Sequence, residues 1–327
     1  MSSWSQLLAG APGPDLEARR SVMDRAANVL RPAGALRRLD EIAAFLAAWQ
    51  RTSTPTIDRP RLLLAAGDHG VAQRGVSAYP STVTAHMLEA IAKGVATSSV
   101  FAEDLGVAVD IVDAGAGNPT GDLATEDALD SDRFENCIAR GREVVAGSGA
   151  DLLLLGEMGI GNTTAAAAVA SSLYGGEIED WVGSGSGVDE AGLVRKREAV
   201  AQGRSRVFGA EPAEVLRRVG GAELAVLAGA CLEARLRSIP VLLDGFVVTA
   251  AVAAIEVEVG GGLAHCLAAH RSSERGHSLL LSHLGLEPIL DLDMRLGEGS
   301  GALVALPILR LAIAGITKVA TFEEFGI

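Results

Sequence analysis

The stretch Asp151 to Ala170, DLLLLGEMGIGNTTAAAAVA, leaves this chain few folds to choose from. Four leucines in a row, Leu152 to Leu155, read as a short strand buried on both faces. Gly156, Gly159 and Gly161 then crowd a turn around Glu157 and Asn162. Thr163 and Thr164 lead into an alanine-rich run of high helix propensity. Strand, glycine turn and helix, in that order, place the turn at the carboxyl edge of a sheet and the amino end of a helix. Free amides and the positive end of the helix dipole favour an anion there. A tight connection that binds nothing is the plain alternative, and the position at a strand end favours a ligand.

Other stretches repeat the pattern. Arg61 to Ala66 reads as a strand ending in Gly67-Asp68-His69-Gly70. Gly106 to Val112 reads as another, closed by Asp113-Ala114-Gly115-Ala116-Gly117-Asn118. Ile239 to Leu243 is a fourth, closed by Asp244-Gly245-Phe246, with an apolar helix after it to about Val257. Helices are expected between the strands: Thr82 to Gly94, Glu190 to Val207, and an amphipathic one from Ala222 to Arg237. Residues 119–150, polar and rich in Asp and Gly, read as loop plus a short helix. This alternation predicts an α/β fold with a parallel sheet flanked by helices, all four Gly/Asp turns lying along one edge. Ahead of the sheet, residues 15–50 read as two helices parted by Pro32, and 51–60 as a linker. The expected division is residues 1–58 as the N-terminal part of a small helical domain, 59–300 as the large α/β domain, and 301–327 as a C-terminal helix and tail.

Composition bounds the partners. The net charge is −13, and no Lys/Arg cluster accompanies an aromatic stripe, so nucleic acid and anionic membrane are poor candidates. The uncharged run from Met158 to Gly176 is long, but its bulk is alanine with Gly, Asn, Thr and Ser, which fits a buried helix better than a membrane span. Cys137, Cys231 and Cys266 show no C-x-x-C spacing, which argues against a disulfide framework or a zinc site and fits a reducing cytoplasm. Asp15, Glu17 and Arg19 interrupt any apolar signal-peptide core. Apolar helices such as Ala222 to Leu236 look exposed in sequence, and a homodimer is expected to cover them.

Three further stretches carry candidate chemistry. Asp68-His69 could be a ligand pair, a base with its orienter, or a polar turn; a metal is disfavoured because no second His or Cys completes a site. The run Gly183-Ser184-Gly185-Ser186-Gly187 is flexible enough to wrap a phosphate, a weak signal by itself. Gly297-Glu298-Gly299-Ser300-Gly301 sets a carboxylate between glycines ahead of an apolar helix. Glu298 is either a helix N-terminal acid or a general base whose backbone lies close to a ligand.

Taken together, GDHGV, GVSAYPSTVT, GEMGIGNTTAAAA, GSGSGVDEAGLVRK, PVLLDGF and MRLGEGSGALVALP resemble the nicotinate-nucleotide:5,6-dimethylbenzimidazole phosphoribosyltransferase family, in the family's order, from about Arg61 to Phe325. The resemblance implies a Rossmann-like sheet with a small helical domain built from the chain ends, a homodimer, and no metal or cofactor. It implies transfer of the ribose phosphate of nicotinate mononucleotide to 5,6-dimethylbenzimidazole, in late cobalamin synthesis. Glu298 matches the family's base. Glu157, Met158 and Gly159 match nucleotide contacts, Gly183 to Gly187 the phosphate cradle, Lys196 its counter-charge and Ser272 a phosphate contact. Ser77, Tyr79 and Met87 fall along the benzimidazole slot, with His86 where many members carry glutamine. Ser186 and Ser300 stand where threonine is common, which keeps the hydroxyl. Asn162, Asp244 and Leu296, within the same motifs, complete the expected substrate-binding set. A nucleotide-binding module without catalysis would have lost Glu298. An NAD-dependent oxidoreductase needs a GxGxxG turn, and GEMGIGNT departs from it.

Overall fold

In the computed structural model, which describes residues 3–327, five parallel strands form one sheet. They are β1 (Pro60–Gly67), β2 (Ala108–Gly115), β3 (Leu152–Met158), β4 (Val241–Leu243) and β5 (Cys266–Ala268). Their order is β2-β1-β3-β4-β5, so the winding reverses between β1 and β3. Register is continuous across the middle, with Leu62 beside Leu154 and Leu154 beside Leu242.

The leucine runs explain why both faces are covered. Leu63, Ala65, Leu153, Leu155, Val241 and Leu243 point into one core, shared with the helices Ser131–Ser148, Asn162–Tyr174, Ala222–Leu236 and Phe246–Glu258. Leu62, Leu64, Leu152, Leu154 and Leu242 point into the other, shared with Arg37–Gln50, Thr97–Leu105 and Ser300–Thr317. Successive residues of a strand face opposite ways, so an unbroken apolar run needs a helical layer on each side. The second layer draws on both chain ends. Arg25 donates to Ile316 O at 2.7 Å and pairs with Glu324 at 2.9 Å, and Val29 bridges to Thr321.

Three expectations change. Residues 131–148 form one long helix, not a short one: Asp130 caps it by accepting from Arg133 N at 2.7 Å. Phe134, Cys137, Gly141 and Val145 give that helix a buried stripe at helical spacing, diluted in sequence by its polar face. The Ala222–Leu236 helix is not amphipathic, since every residue from Ala222 to Ala234 is buried. Its two glutamates misled the reading, because Glu223 and Glu233 have buried or partly buried partners in His69 and Arg142. The strand β5 went unread because three residues carry no periodicity. Among the described residues, Ser300–Thr317 is the one helix long and apolar enough to cross a membrane, and half of it is buried in the core. The Met158 to Gly176 run contains the buried Asn162–Tyr174 helix, as expected.

Candidate active site

The carboxyl ends of β1, β3, β4 and β5 open onto a cleft of about 490 Å³, within the usual size of a small-molecule site. It lies beside the β1/β3 reversal, where open α/β sheets bind ligands.

One wall is made by β3 and the loop before the last long helix. Glu298 N donates to Glu157 O at 2.9 Å, which sews the loop to the strand end. Gly297 has φ +87°, and a Cβ there would lie 2.7 Å from Glu157 Oε1, so a side chain at this position would strain the backbone and crowd the Glu157 carboxyl. Glu298 itself has φ +61°, a left-handed conformation that side chains other than Gly, Asn and Asp rarely adopt. Its Oε2 accepts from Ser98 Oγ at 3.0 Å, while Oε1 has no partner among the described residues. The residue is buried to 2% exposure yet lines the cleft.

Asp244 explains how that strain is held. Its Oδ2 accepts from Gly299 N at 3.1 Å and its Oδ1 from Ala302 N at 3.0 Å. A carboxylate on these orphan amides stabilises the helix start and fixes the turn carrying Glu298. Asp244 is 1% exposed and does not line the cleft. It therefore shapes the site from behind the lining, although it was expected in the binding set.

Glu157 differs from Glu298 in surroundings. Asn162 donates a short bond to Glu157 Oε2. Burial, then the charges of Asp244 and Glu223, hold the Glu157 carboxyl well above the usual carboxylate range, which favours its protonated form.

The opposite wall is polar. Of the Gly183 to Gly187 loop, Gly185 and Ser186 line the cleft; Gly183, Ser184 and Gly187 do not. Ser186 Oγ lies 3.0 Å from Ser77 Oγ and accepts from Ala78 N at 3.1 Å. Ser77 thus positions the loop from outside the cleft. Lys196 is buried and also outside it: Nζ donates to Thr163 Oγ1 at 3.0 Å and Gly183 O at 2.9 Å. Burial pushes its pKa down, and Glu274 opposes that. Ser272 lines the cleft with a buried Oγ that has no partner, and His270 beside it has an unpartnered Nδ1. Behind them His277 Nδ1 accepts from Ser272 N at 3.0 Å, and its Nε2–H faces Thr249 Oγ1 at 3.1 Å. Burial and then His270 push the His277 pKa down to about 3, so the ring is neutral and orients Ser272.

Apolar residues close one end: Tyr79, Val83, Met87, Met158 and Leu296. Gly159 and Asn162 line the floor. His86, expected in the base slot, is exposed on its helix and is not among the residues that line the cleft. Asp68 and His69 form a polar turn: Asp68 Oδ2 accepts from Gly117 N at 2.7 Å, and His69 Nε2 meets Glu223 Oε1 at 2.6 Å. Several lining residues went unread, among them Thr163, Phe246, His270, Glu274 and Arg295. His270 follows the unread β5. Arg295 sits within the MRLGEG stretch and could have been found as a cation beside a glycine turn.

Reversal-point cleft, glycine loop and paired carboxyls suit an enzyme that handles a nucleotide, and the profile of a family described as phosphoribosyltransferase matches residues 11–327 and gives the class. The chain is 45% identical to the nicotinate-nucleotide–dimethylbenzimidazole phosphoribosyltransferase of Brucella anthropi over 98% of its length and 95% of that protein's. Identity to the protein of the same name from Jannaschia sp. is also 45%, with the same coverage. The crystal structure of that enzyme from Thermus thermophilus superposes with a TM-score of 0.90 at 40% identity, over 95% of this chain and 98% of the other. The chain belongs to the nicotinate-nucleotide–dimethylbenzimidazole phosphoribosyltransferase family.

Proposed function

We propose that the protein transfers the 5-phosphoribosyl group of nicotinate mononucleotide to 5,6-dimethylbenzimidazole, giving α-ribazole 5′-phosphate and nicotinate for the lower ligand of cobalamin. The glycosidic C1′–N bond to nicotinate breaks, with its electron pair returning to the pyridine ring. A ring nitrogen of the benzimidazole attacks C1′ from the opposite face, which turns the β-linked nucleotide into an α-linked product. The proton on the other ring nitrogen passes to Glu298. The observation that carries this reading is the free Oε1 of a buried Glu298 at the cleft wall.

The apolar end lined by Met87 and Met158 suits the flat benzimidazole. The open hydroxyl of Ser272 and the Gly185–Ser186 turn suit the phosphate, and Lys196 acts on it by holding that turn and through its charge. The raised proton affinity of Glu157 disfavours a second negative charge beside the base. The protein is also proposed to work in the cytoplasm as a homodimer. The ground for a dimer read from sequence does not hold, because the Ala222–Leu236 helix is buried within one chain. Exposed Val100 and Phe101, with Leu311 on the helix packed beside theirs, supply another.

The test is product analysis with nicotinate mononucleotide and a panel of benzimidazole and purine bases, repeated with Glu298→Gln. Equal amounts of nicotinate and an α-linked nucleotide are expected. In the variant kcat should fall at least ~10²-fold, the usual contribution of a placed base, with melting temperature nearly unchanged. Near-normal turnover at saturating base would remove Glu298 from the proton transfer.

A further inference from the structure

The amino-terminal end of the sheet, away from the cleft, holds three side chains that the proposed reaction does not use. Cys231 sits on the Ala222–Leu236 helix, and His265 and Cys266 lead into β5. All three are buried, at 0%, 0% and 3% exposure. Their ligand atoms form a nearly equilateral triangle. Cys231 Sγ lies 3.8 Å from Cys266 Sγ and 3.7 Å from His265 Nε2, and Cys266 Sγ lies 3.9 Å from that nitrogen. Sequence spacing hides the group, because 34 residues separate Cys231 from His265.

We infer that Cys231, His265 and Cys266 form a binding site for a thiophilic d¹⁰ cation, Zn²⁺ above all. An ion at the centre of such a triangle would stand about 2.2 Å from each corner, between the Zn–N and Zn–S bond lengths. The edges also match a tetrahedron at those bond lengths, and the Cys231 carbonyl oxygen, 3.1 Å from Nε2, is a fourth donor at hand. Two thiolates and Zn²⁺ sum to zero charge, which suits a dry site where a net charge would be costly. Trp49 packs edge-on against the His265 ring, 5.8 Å between centroids, and Arg235 lies 4.8 Å over Trp49, closing the group from solvent. Binding is balanced as Zn²⁺ plus two thiols giving a bis-thiolate and two protons. The imidazole gives up its contact with the Cys231 carbonyl, presents the Nε2 lone pair to the metal and carries its proton on Nδ1. The ion would clamp the long buried helix to the start of β5, the strand whose far end delivers His270 and Ser272 to the cleft.

The plain alternative is that the two cysteines are small apolar fillers. Chelator-stripped wild-type protein should take up one Zn²⁺ per chain by elemental analysis after gel filtration, release two protons, and melt several degrees higher. Co²⁺ in its place should give thiolate-to-metal charge-transfer bands in the near ultraviolet. The double variant Cys231→Ala/Cys266→Ala keeps the packing apolar and should lose uptake and bands, with turnover below its melting range unchanged. A stripped wild-type protein that binds no zinc overturns the proposal without any variant. So does stoichiometric uptake that persists in the folded double variant.

Discussion

At the scale of single residues, the cleft is built from groups whose hydrogen bonds are incomplete. Ser272 Oγ is buried without a partner, an arrangement that costs stability until a ligand arrives. Ser272→Ala should therefore leave the melting temperature unchanged or slightly raised. It should weaken nicotinate mononucleotide by about 1.5–3 kcal/mol, the range for hydrogen bonds to charged groups, and leave free nicotinate alone. Calorimetry with both ligands checks this; equal losses would place Ser272 away from the phosphate. Glu157 makes a prediction of the opposite kind. Its folded pKa is raised, so the native state holds this proton after the unfolded chain has lost it. Stability then declines as pH rises above the ordinary glutamate value, by up to about 1.4 kcal/mol per unit until the folded pKa is passed. Glu157→Gln should flatten that decline in urea titrations between pH 5 and 9. An unchanged slope would show that the carboxyl is already ionised in the fold.

At the scale of elements, close approach between helices decides more than amphipathic pattern. The helices Ser131–Ser148 and Ala222–Leu236 touch at Gly141, where a Cβ would fall 1.9 Å from Val226 O. Gly141→Ala must push two backbones apart, an overpacking cost of about 1–3 kcal/mol or more, readable as a loss of melting temperature with KM unchanged. This contact also shows what sequence could and could not reveal. Four strands were legible because leucine runs and their Gly/Asp turns are local signals. Glu298 stood out because glycines flank it, and Glu157, Met158, Gly159 and Asn162 because they share one turn. Asp244 and Ser77 were singled out but lie outside the cleft lining, since a carboxylate on substrate and one on helix amides look alike in one dimension. Nothing local in the sequence joins Glu223 to His69, because the two lie 154 positions apart. His270 was missed with β5, and the exposure of His86 depends on how its helix is turned.

At the scale of the whole molecule, acid should unfold the protein partly through His277. The folded ring has a pKa of about 3 against an ordinary 6.5, so unfolded chains take up a proton that native ones refuse. This contribution to stability is complete above pH 6.5 and is lost as pH falls from there toward 3. His277→Gln should shift the acid midpoint of unfolding downward, unless the substitution itself unfolds the chain; His277→Asn gives a second trial of the same expectation. Assembly is read by light scattering, where a homodimer should appear at twice 33.6 kDa, and replacing Phe101 and Leu311 with polar residues should split it.

The last long helix, Ser300–Thr317, covers the sheet face that carries Leu62, Leu64 and Leu154, and the loop before it brings Glu298 to β3. In order of synthesis, Glu298 and this part of the cover over the central strands therefore follow all five strands together. Until then that sheet face has only the cover that Arg37–Gln50 and Thr97–Leu105 give it, and the cleft lacks Glu298. A polypeptide broken off before residue 297 would lack both at once: it would leave Leu62, Leu64 and Leu154 underpacked and, on the proposed mechanism, transfer no phosphoribosyl group.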